Sequence, residues 1–466
     1  MTENRNTSII ILTYNNLLYN HLCIDSIRKY TTENTYEIIV VDNNSTDGTR
    51  EWLQEQKDIK AILNDDNVGF PRGCNQGIAA SDQNNDILFL NNDTVVTPRW
   101  LDNLKIGLYS EDHVGGTAST TNNCSNYQSI RVPYTELNDM KAFAEVNNVS
   151  NPDQWEEKVR LVAFCMLIKR DVLNKIGLLD ERFSPGNFED DDLCMRVIEA
   201  GYKLLLCYDS FIHHFGSTSF KKDYSKFNDL LTTNSKKFEE KWGFNSNLAS
   251  EIKFDVIERI SEPKDKHFKI VDFDCGLGAT LLKLKYMYPK ALIYGIETNP
   301  SIARLGGELV ELMTENFEET YTMSFNSDMT NFFDYIILGN KLQLSNDPWK
   351  LLKAAKSHLK PGGYVIATIP NMMHHSVIKE LLTGSFIYQE NALLNKHNSK
   401  FFTLSDIHKI FEECGYINPF VFHYTHELTL DAAKFIDSIC SIIGNDMREY
   451  FYSYEYVAKF QKSLEI

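Results

Sequence analysis

The 466-residue sequence has no long apolar run, no closely spaced cysteine pair and no excess of basic side chains. Its longest uninterrupted apolar stretch, LVAFCMLI from Leu161, is far shorter than the roughly 20 residues that a membrane-spanning helix needs. The N-terminus, MTENRNTSIIIL, does not resemble a signal peptide. The nine cysteines are scattered singly, which argues against a structural zinc site or a disulfide framework and favours a reducing cytoplasm.

Acidic side chains outnumber basic ones, 64 to 47, so the formal net charge is −17. Broad nucleic-acid binding needs basic faces that replace counterions, and the sequence argues against such a partner. An acidic protein that handles phosphates usually recruits a divalent cation, so a nucleotide ligand stays open.

The length predicts two or three domains, and the pattern of the first half predicts an α/β fold with a parallel sheet. Buried-strand runs alternate with helix-like segments until residue 119, after which a polar, loop-like stretch extends to 153. We predict four segments in all: an N-terminal Rossmann-like domain (1–250), a linker (251–265), a second Rossmann-like domain (266–425) and a helical C-terminal segment (426–466).

Three strands of the first half end in polar residues, at Thr13, at Asp42 and at Asp93. Open parallel sheets bind ligands beyond the carboxyl ends of their strands, so these side chains should meet in one crevice. Asp42 could accept a hydrogen bond from a base or a ribose, and Asp93 could hold a metal ion. Ordinary turn chemistry explains any one of them equally well, because Asn, Asp, Ser and Gly favour turns.

The stretch NVGFPRGCNQGIAAS places Gly69, Gly73 and Gly77 around the start of a helix. Glycines allow close backbone approach, a helix start offers N–H groups to a phosphate, and Arg72 could add a bidentate contact. The alternative is a glycine-rich turn that leads into a packed helix.

Four consecutive carboxylates, residues 189–192, open the helix in GNFEDDDLCMRVIEAGY. A solvated, dipole-favoured helix start is one interpretation. The flanking apolar residues favour another, in which crowded carboxylates with raised pKa values supply a general base. Two adjacent histidines in SFIHHFGS, His213 and His214, are either ordinary core residues or partners of Asp93 in a Mg²⁺ or Mn²⁺ site.

Together these stretches resemble the family 2 glycosyltransferases of GT-A fold across about residues 6–245. The resemblance rests on ILTYNN, VVDNNSTDGT, NVGFPRGCNQGI, FLNNDTVV, GLLDERF, FEDDDLCMRVIEAGY and IHHFGS. It implies an inverting, metal-dependent transferase in which Asp190, or next Glu189, is the base and Asp93 with His214 holds Mn²⁺ or Mg²⁺. His213 is the reserve metal ligand. The implied nucleotide-sugar contacts are Thr13, Tyr14, Asn15, Asp42, Asn43, Ser45, Asp47, Gly69, Arg72, Asn75 and Asn92.

The second half resembles the class I S-adenosylmethionine-dependent methyltransferases in IVDFDCGLGAT, IYGIETNP, FNSDM, FDYIIL and LKPGGYVIATIPN. The resemblance implies a cofactor site at Gly276, Gly278, Glu297 and Asp328. Asp274 stands where the family usually has glycine, and its charge would repel the cofactor's carboxylate. With further departures after the fourth strand and in NALLNKHNSKFFT, this predicts a degenerate domain, for which S-adenosylmethionine binding is doubtful.

We expect UDP-N-acetylglucosamine as sugar donor and a hydroxyl of flagellin or of a surface glycan as acceptor, as the resemblance implies. One alternative is a bifunctional enzyme that transfers a sugar from dTDP-rhamnose and then methylates it. Another is a catalytically silent module that binds glycans or proteins.

Overall fold

The computed structural model of the protein describes residues 5–216, 224–312, 329–389 and 393–464. The chain divides into an N-terminal unit, residues 1–250 with 304–309, and a C-terminal unit, residues 251–303 with 310–466. None of the described helices combines the length and the hydrophobicity that crossing a bilayer requires.

In the first 250 residues, strands and helices alternate along the chain. The strands are β1 (Thr7–Thr13), β2 (Tyr36–Asp42), β3 (Ile59–Leu63), β4 (Asp86–Asn91), β5 (Thr94–Val95), β6 (Val114–Thr120), β7 (Trp155–Lys158), β8 (Cys165–Ile168), β9 (Lys203–Phe211) and β10 (His213–His214). The helices are α1 (Leu17–Tyr30), α2 (Thr49–Glu55), α3 (Phe70–Ala80), α4 (Trp100–Leu108), α5 (Leu137–Asn147), α6 (Arg170–Ile176), α7 (Glu189–Glu199), α8 (Tyr224–Trp242) and α9 (Ser246–Ala249).

One mixed sheet organises these elements, in the strand order β3-β2-β1-β4-β8-β6-β9-β7. The first four strands run parallel, and β8 is antiparallel to both β4 and β6. Ile9, Ile39 and Phe89 are fully buried, because helices cover both faces of the sheet. The α/β fold predicted for this half is confirmed.

A separate two-stranded ribbon pairs β5 with β10 and sets His214 opposite Thr94. The ribbon brings a residue from position 214 next to the tip of β4. Residues 119–153, expected to form a loop, contain α5, whose Met140 and Ala144 pack against Phe211. Two buried apolar residues four positions apart are a weak helical signal, which is why the sequence pattern missed this helix.

The second half of the chain forms another α/β arrangement. Its elements are α10 (Phe254–Ile257), β11 (Lys269–Phe273), α11 (Ala279–Met287), β12 (Leu292–Ile296), α12 (Pro300–Gly306), β13 (Glu311–Leu312), β14 (Phe333–Gly339), α13 (Lys341–Leu344), α14 (Pro348–His358), β15 (Leu359–Pro370), α15 (His375–Leu382), α16 (Leu404–Glu413), β16 (Tyr416–Thr425), α17 (Leu430–Ile443), α18 (Arg448–Tyr452) and β17 (Ser453–Lys462). The sheet order is β13-β12-β11-β14-β15-β17-β16, in which β17 is antiparallel to both of its neighbours.

Two segments of this half differ from their predictions. Residues 251–265, expected to be a linker, contain α10 and place Lys253 on the buried carboxylate of Asp272 at 3.0 Å. Residues 426–466, expected to be helical, end in β17, which lies between β15 and β16. A strand near the C-terminus that pairs with a strand almost a hundred residues earlier leaves no local signal of that pairing.

The packing of β17 predicts a large cost for truncating Phe460. This ring is buried and stacked on Phe411, with centroids 4.0 Å apart. Phe460→Ala should lower the free energy of unfolding of the C-terminal unit by about 3–5 kcal/mol. Ile417→Ala, at a side chain of the neighbouring strand that is 42% exposed, should cost less than about 1 kcal/mol. Calorimetry of both variants measures this, and equal losses would contradict the packing.

Candidate active site

The loops that follow β1 and β2 are tied together by short hydrogen bonds. The main-chain N–H of Asn15 donates to Ser45 Oγ at 2.6 Å, and that of Thr46 donates to Asn15 Oδ1 at 2.8 Å. Asn15 has a left-handed backbone, with φ of 61°, which Asn tolerates better than most residues. The two strands therefore end in one shared polar edge, of the kind where open α/β sheets bind ligands.

Asp42 is fully buried at the end of β2, opposite Thr13 in register. Its Oδ2 accepts from the main-chain N–H of Ser45 at 3.1 Å and pairs with Arg50 at 3.0 Å, whereas its Oδ1 has no hydrogen-bond partner among the described residues. The neighbouring Tyr14 is 47% exposed. This edge thus offers an unpartnered carboxylate oxygen and an accessible aromatic ring.

Two predicted ligand contacts, Asp47 and Asn43, hold the loops instead. Asp47 Oδ2 accepts from the main-chain N–H of Leu17 at 2.9 Å, and its other oxygen caps the first turn of α2. The buried amide of Asn43 accepts from Asn64 Nδ2 at 3.0 Å and donates into the loop before α3. Both side chains satisfy main-chain and amide groups that would otherwise be unpaired.

The glycines around α3 serve packing in this structure. A Cβ placed on Gly69, whose φ is 82°, would lie 2.9 Å from the Cα of Pro185. A Cβ on Gly77 would lie 2.6 Å from the side chain of Ile10 on β1. The close approaches are therefore between segments of the protein, which differs from the predicted approach to a phosphate.

Asn75 and Arg72, both on α3 and both predicted to contact the sugar nucleotide, differ in what they contact. The amide nitrogen of Asn75 donates to the carbonyl of Leu179 at 2.9 Å and to Glu181 at 3.1 Å, so it joins α3 to the following loop. Arg72 is exposed and lines an open cleft with Asp66. Of the two side chains, only that of Arg72 is therefore accessible to a ligand.

The tip of β4 carries Asn91, Asn92 and Asp93. Asn92 Nδ2 donates to Thr13 Oγ1 at 3.2 Å and to Asn20 Oδ1 at 3.0 Å, which ties this tip to β1 and α1. Asp93 is buried, and its Oδ1 lies 3.1 Å from a histidine nitrogen. The predicted convergence of three strand ends is therefore present in the fold.

That histidine is His214, whose two ring nitrogens both face oxygen atoms. Nδ1 lies 2.8 Å from the carbonyl oxygen of Asn123, and Nε2 lies 3.1 Å from Asp93 Oδ1. A carbonyl only accepts, so Nδ1 carries a proton, and a neutral ring would then present a lone pair to the carboxylate. His214 Nε2 and Asp93 Oδ1 thus bring two potential metal-ligand atoms together at one place.

His213, the reserve metal candidate, lies in a different environment. Its Nδ1 is 2.9 Å from the hydroxyl of Tyr134, and its ring packs edge-on against Phe215. Burial lowers its pKa to about 4, so the ring is neutral at physiological pH. Of the two histidines, His214 is the one that contacts Asp93.

The Asp93–His214 pair is the candidate binding site for a metal ion. Across the described residues, no group of three or more His, Cys, Asp or Glu side chains is arranged to hold one. A carboxylate and an imidazole are nevertheless ligands that Mn²⁺ accepts, and ions at phosphate sites take further ligands from substrate oxygens and water. The pair fits an ion that binds together with a diphosphate.

Arginine and lysine side chains neutralise the last two carboxylates of the acidic run that opens α7. Asp192 is fully buried and pairs with Arg196 at 2.9 Å and with Lys241 at 2.5 Å. Asp191 pairs with Arg160 at 2.7 Å. These two side chains are fully engaged in holding the fold.

The first two carboxylates of the run form no ion pair within the described part of the chain. Glu189 is only 6% exposed, and its Oε2 has no hydrogen-bond partner among the residues that the structure describes. Asp190 accepts hydrogen bonds from the main-chain N–H groups of Asp191 at 2.9 Å and of Ala163 at 3.3 Å. Burial, followed by the charge of Asp191, raises the pKa of Asp190 to about 6, and burial beside Asp190 raises the pKa of Glu189 well above its usual range.

A cavity of about 330 Å³ connects these carboxylates to the tip of β4, since Glu189, Asp190 and Asn91 all line it. Phe164, which also lines the cavity, stacks its ring on His214. Arg160 is a further lining residue. Sequence reasoning missed Phe164 and Arg160, although an arginine directly before the apolar run at Leu161 was a visible signal.

In the C-terminal unit, the glycine-rich turn after β11 has left-handed glycines, with φ of 59° at Gly276 and 89° at Gly278. Glu297, at the end of β12, closes onto this turn. Its Oε2 accepts from the main-chain N–H of Gly276 at 3.0 Å, and its Oε1 from that of Asn299 at 2.7 Å.

Two lysines also contact this turn. Lys253 Nζ lies 3.0 and 3.1 Å from the two carboxylate oxygens of Asp272 and 3.1 Å from the carbonyl of Asp274. The side chain of Asp274 is itself paired with Lys341. The charge of Asp274, which we expected to repel the cofactor's carboxylate, is therefore paired with a lysine in this structure. Asp328 lies outside the described residues.

Two family models match successive parts of the chain. Residues 8–177 match the model "Glycosyl transferase family 2", and residues 244–418 match the model "Methyltransferase domain". The chain joins a family 2 glycosyltransferase domain to a methyltransferase domain. Both resemblances inferred from the motifs are confirmed. The first match ends before α7, so the acidic run lies beyond the matched part of the glycosyltransferase domain.

Curated relatives match this chain over part of their own length. The protein y4gI of Sinorhizobium fredii is 27% identical over 228 residues, which is 46% of this chain and 24% of that protein. Glycosyltransferase AglE of Haloferax volcanii is 24% identical over 209 residues, 43% of this chain and 64% of that protein. The structure of GalNAc-T7 with UDP, GalNAc and Mn²⁺ has a TM-score of 0.38 at 15% identity, covering 46% of this chain and 44% of that one.

The groups around the glycine-rich turn of the methyltransferase domain are engaged with one another in this structure. Both oxygens of Glu297, the residue expected to hold the ribose, are engaged by main-chain N–H groups. Lys253 is likewise engaged within the protein, because its ammonium lies 3.0 Å from the carboxylate of Asp272 and 3.1 Å from the carbonyl of Asp274.

We therefore expect weak S-adenosylmethionine binding, with a Kd above about 1 mM. Isothermal titration of the full chain with S-adenosylmethionine, and with its demethylated product, measures this directly. An active methyltransferase titrated in the same buffer serves as positive control. Micromolar binding would show that Glu297 and Lys253 move aside for the cofactor.

Proposed function

We propose that the glycosyltransferase domain transfers a sugar from a nucleoside-diphosphate sugar to an acceptor hydroxyl, with inversion at the anomeric carbon. The observation that carries the proposal is the division of the acidic run in α7. Asp191 and Asp192 are neutralised by cations, whereas Asp190 faces a cavity with a pKa of about 6 and without an ion-pair partner in the described residues.

Asp190 has the properties of a general base. Its pKa of about 6 leaves it ionised at neutral pH, yet makes it a far better proton acceptor than an ordinary aspartate. We assign it the proton of the acceptor hydroxyl, which attacks the anomeric carbon while the nucleoside diphosphate departs from the opposite face. A single displacement of this kind inverts the configuration, and its transition state has oxocarbenium character.

The sugar nucleotide is assigned to the polar edge formed by β1, β2 and β4. We assign to the nucleoside the buried Asp42 Oδ1, which has no hydrogen-bond partner among the described residues, and the exposed ring of Tyr14, which offers a stacking surface. Thr13, Asn15 and Ser45 shape the edge through the bonds that join its loops. Asn43, Asp47 and Asn75 support these elements from behind.

Asp93 and His214 are the residues that would hold Mn²⁺ or Mg²⁺. When bound, such an ion supplies positive charge to the departing diphosphate. The contact of His214 Nδ1 with the carbonyl of Asn123 fixes the ring orientation and leaves Nε2 for this role. Asn91, 3.5 Å from Nε2, borders the same site.

UDP-N-acetylglucosamine is the sugar donor we favour, and a flagellin or surface-glycan hydroxyl is the acceptor, on the strength of the family resemblance. A panel of nucleotide sugars, assayed for hydrolysis and thermal shift with Mn²⁺, tests the donor. The contacts of Glu297 at the glycine-rich turn argue against the bifunctional alternative. The Asp190 carboxylate, which faces the cavity, argues against the silent binding module. Absence of any hydrolysis or shift across the panel would refute the proposal.

Asp190→Asn keeps the shape of the side chain and removes the proton acceptor. We expect transfer to fall by roughly 10²- to 10⁴-fold, the range usual for loss of a general base. Nucleotide-sugar affinity should be nearly unchanged, because the base serves the acceptor. Wild-type transfer should also decline below about pH 6, as Asp190 protonates.

Glu189→Gln is the matched comparison for this variant. An inactive Glu189→Gln with a normal Asp190→Asn would transfer the role of base to Glu189.

Asp93→Ala should abolish transfer and weaken nucleotide-sugar binding much more in Mn²⁺ than in EDTA, because the carboxylate acts through the ion. Titration of the sugar nucleotide under both conditions measures the difference. His213→Ala, at the neighbouring histidine that does not contact Asp93, is the control and should retain the metal effect. If the wild type binds equally well with and without metal, the assignment fails.

A further inference from the structure

Arg160 joins three segments around the cavity. Its Nη1 donates to Asp191 Oδ2 at 2.7 Å and lies 3.2 Å from Ser246 Oγ, and its Nε donates to Asn126 Oδ1 at 3.2 Å. Asn126 returns a bond from its amide to the carbonyl oxygen of Arg160 at 2.7 Å. Ser246 also donates to Asp191, at 2.7 Å, so α7, α9 and the loop after β6 are held by one arginine–aspartate pair.

The main chain beside this pair holds the carboxylate of Asp190. The N–H of Asp191 donates to Asp190 Oδ1 at 2.9 Å. The N–H of Ala163, three residues after Arg160, donates to Asp190 Oδ2 at 3.3 Å. The two segments whose N–H groups donate to the Asp190 carboxylate are thus joined by the Arg160–Asp191 ion pair.

We propose that Arg160 and Asp191 are positioning residues that hold the Asp190 carboxylate toward the cavity and balance the charge beside it. This inference rests on the proposed function, in which Asp190 is the base. Because Asp191 cancels the charge of Arg160, the Asp190 carboxylate stays ionisable. An unpaired Arg160 would make Asp190 a weaker proton acceptor, and an unpaired Asp191 would keep Asp190 protonated.

The charges around Asp190 act in opposite directions on its pKa. Burial and the negative charge of Asp191 raise it, and the positive charge of Arg160 lowers it. The other titratable groups nearby are Glu189, Cys124 and Cys194. Burial raises the pKa of Glu189 and of the Cys194 thiol well above their usual ranges, and it raises the pKa of the Cys124 thiol to about 12.

Removing either member of the pair should therefore shift the pKa of Asp190 in opposite directions. Arg160→Met leaves the negative charge of Asp191 uncompensated, and we expect a rise of about one unit. Asp191→Asn leaves Arg160 uncompensated, and we expect a fall of similar size. The double variant should return close to the wild-type value.

Carboxyl ¹³C NMR of the full chain measures the pKa of Asp190, with its signal assigned by Asp190→Asn. The NMR titration needs no turnover, so its result is valid even if no sugar donor is found. The acid limb of the pH–rate profile tests the same pKa shifts during transfer. Arg5→Met, which breaks the surface pair with Asp171, is the control and should leave the value unchanged.

Opposite shifts in the two single variants support the positioning role. Unchanged values, or shifts in the same direction, overturn it. If Arg160→Met fails to fold, Asp191→Asn alone decides, because a value that does not fall contradicts the proposal. Arg160→Lys, which keeps the charge, should retain a value near the wild type.

Discussion

Four consecutive carboxylates at the start of α7 are buried or half-buried, and the glycosyltransferase domain tolerates them because cations neutralise the last two. Asp192 forms ion pairs with Arg196 and Lys241, and Asp191 forms one with Arg160. Breaking a buried ion pair leaves an uncompensated charge and is strongly destabilising. These pairs also anchor the helix start, so the two remaining carboxylates are presented to the cavity in one geometry. The chemistry assigned to Asp190 depends on this difference between the neutralised carboxylates and those that face the cavity.

The second constraint is the ribbon of β5 and β10, which returns the chain to the tip of β4. Without it, Asp93 would be a single carboxylate at a strand end. With it, His214 faces Asp93, held by the carbonyl of Asn123 and stacked on Phe164. Phe164 and Asn91 in turn line the cavity that contains Asp190. One continuous set of contacts thus links the candidate metal pair to the candidate base.

The methyltransferase domain combines the expected fold with a first turn whose polar groups bond to one another. Its sheet order and the left-handed glycines of its first turn agree with the family resemblance. The contacts at that turn are nevertheless satisfied within the protein, by Glu297, Lys253 and Lys341.

Sequence alone determined the two α/β domains, the strand ends that converge and the run of carboxylates that contains Asp190, since all of these are local patterns of polarity and period. Only the tertiary structure decided which carboxylates are neutralised, which histidine meets Asp93, that Asn43, Asp47 and Asn75 hold loops, and that the last segment is a strand. Most of these depend on a partner that is distant in the sequence, such as Arg160, 31 positions from Asp191, or β15, which pairs with β17. A side chain's local pattern shows what it can bind, and the fold determines which partner reaches it first.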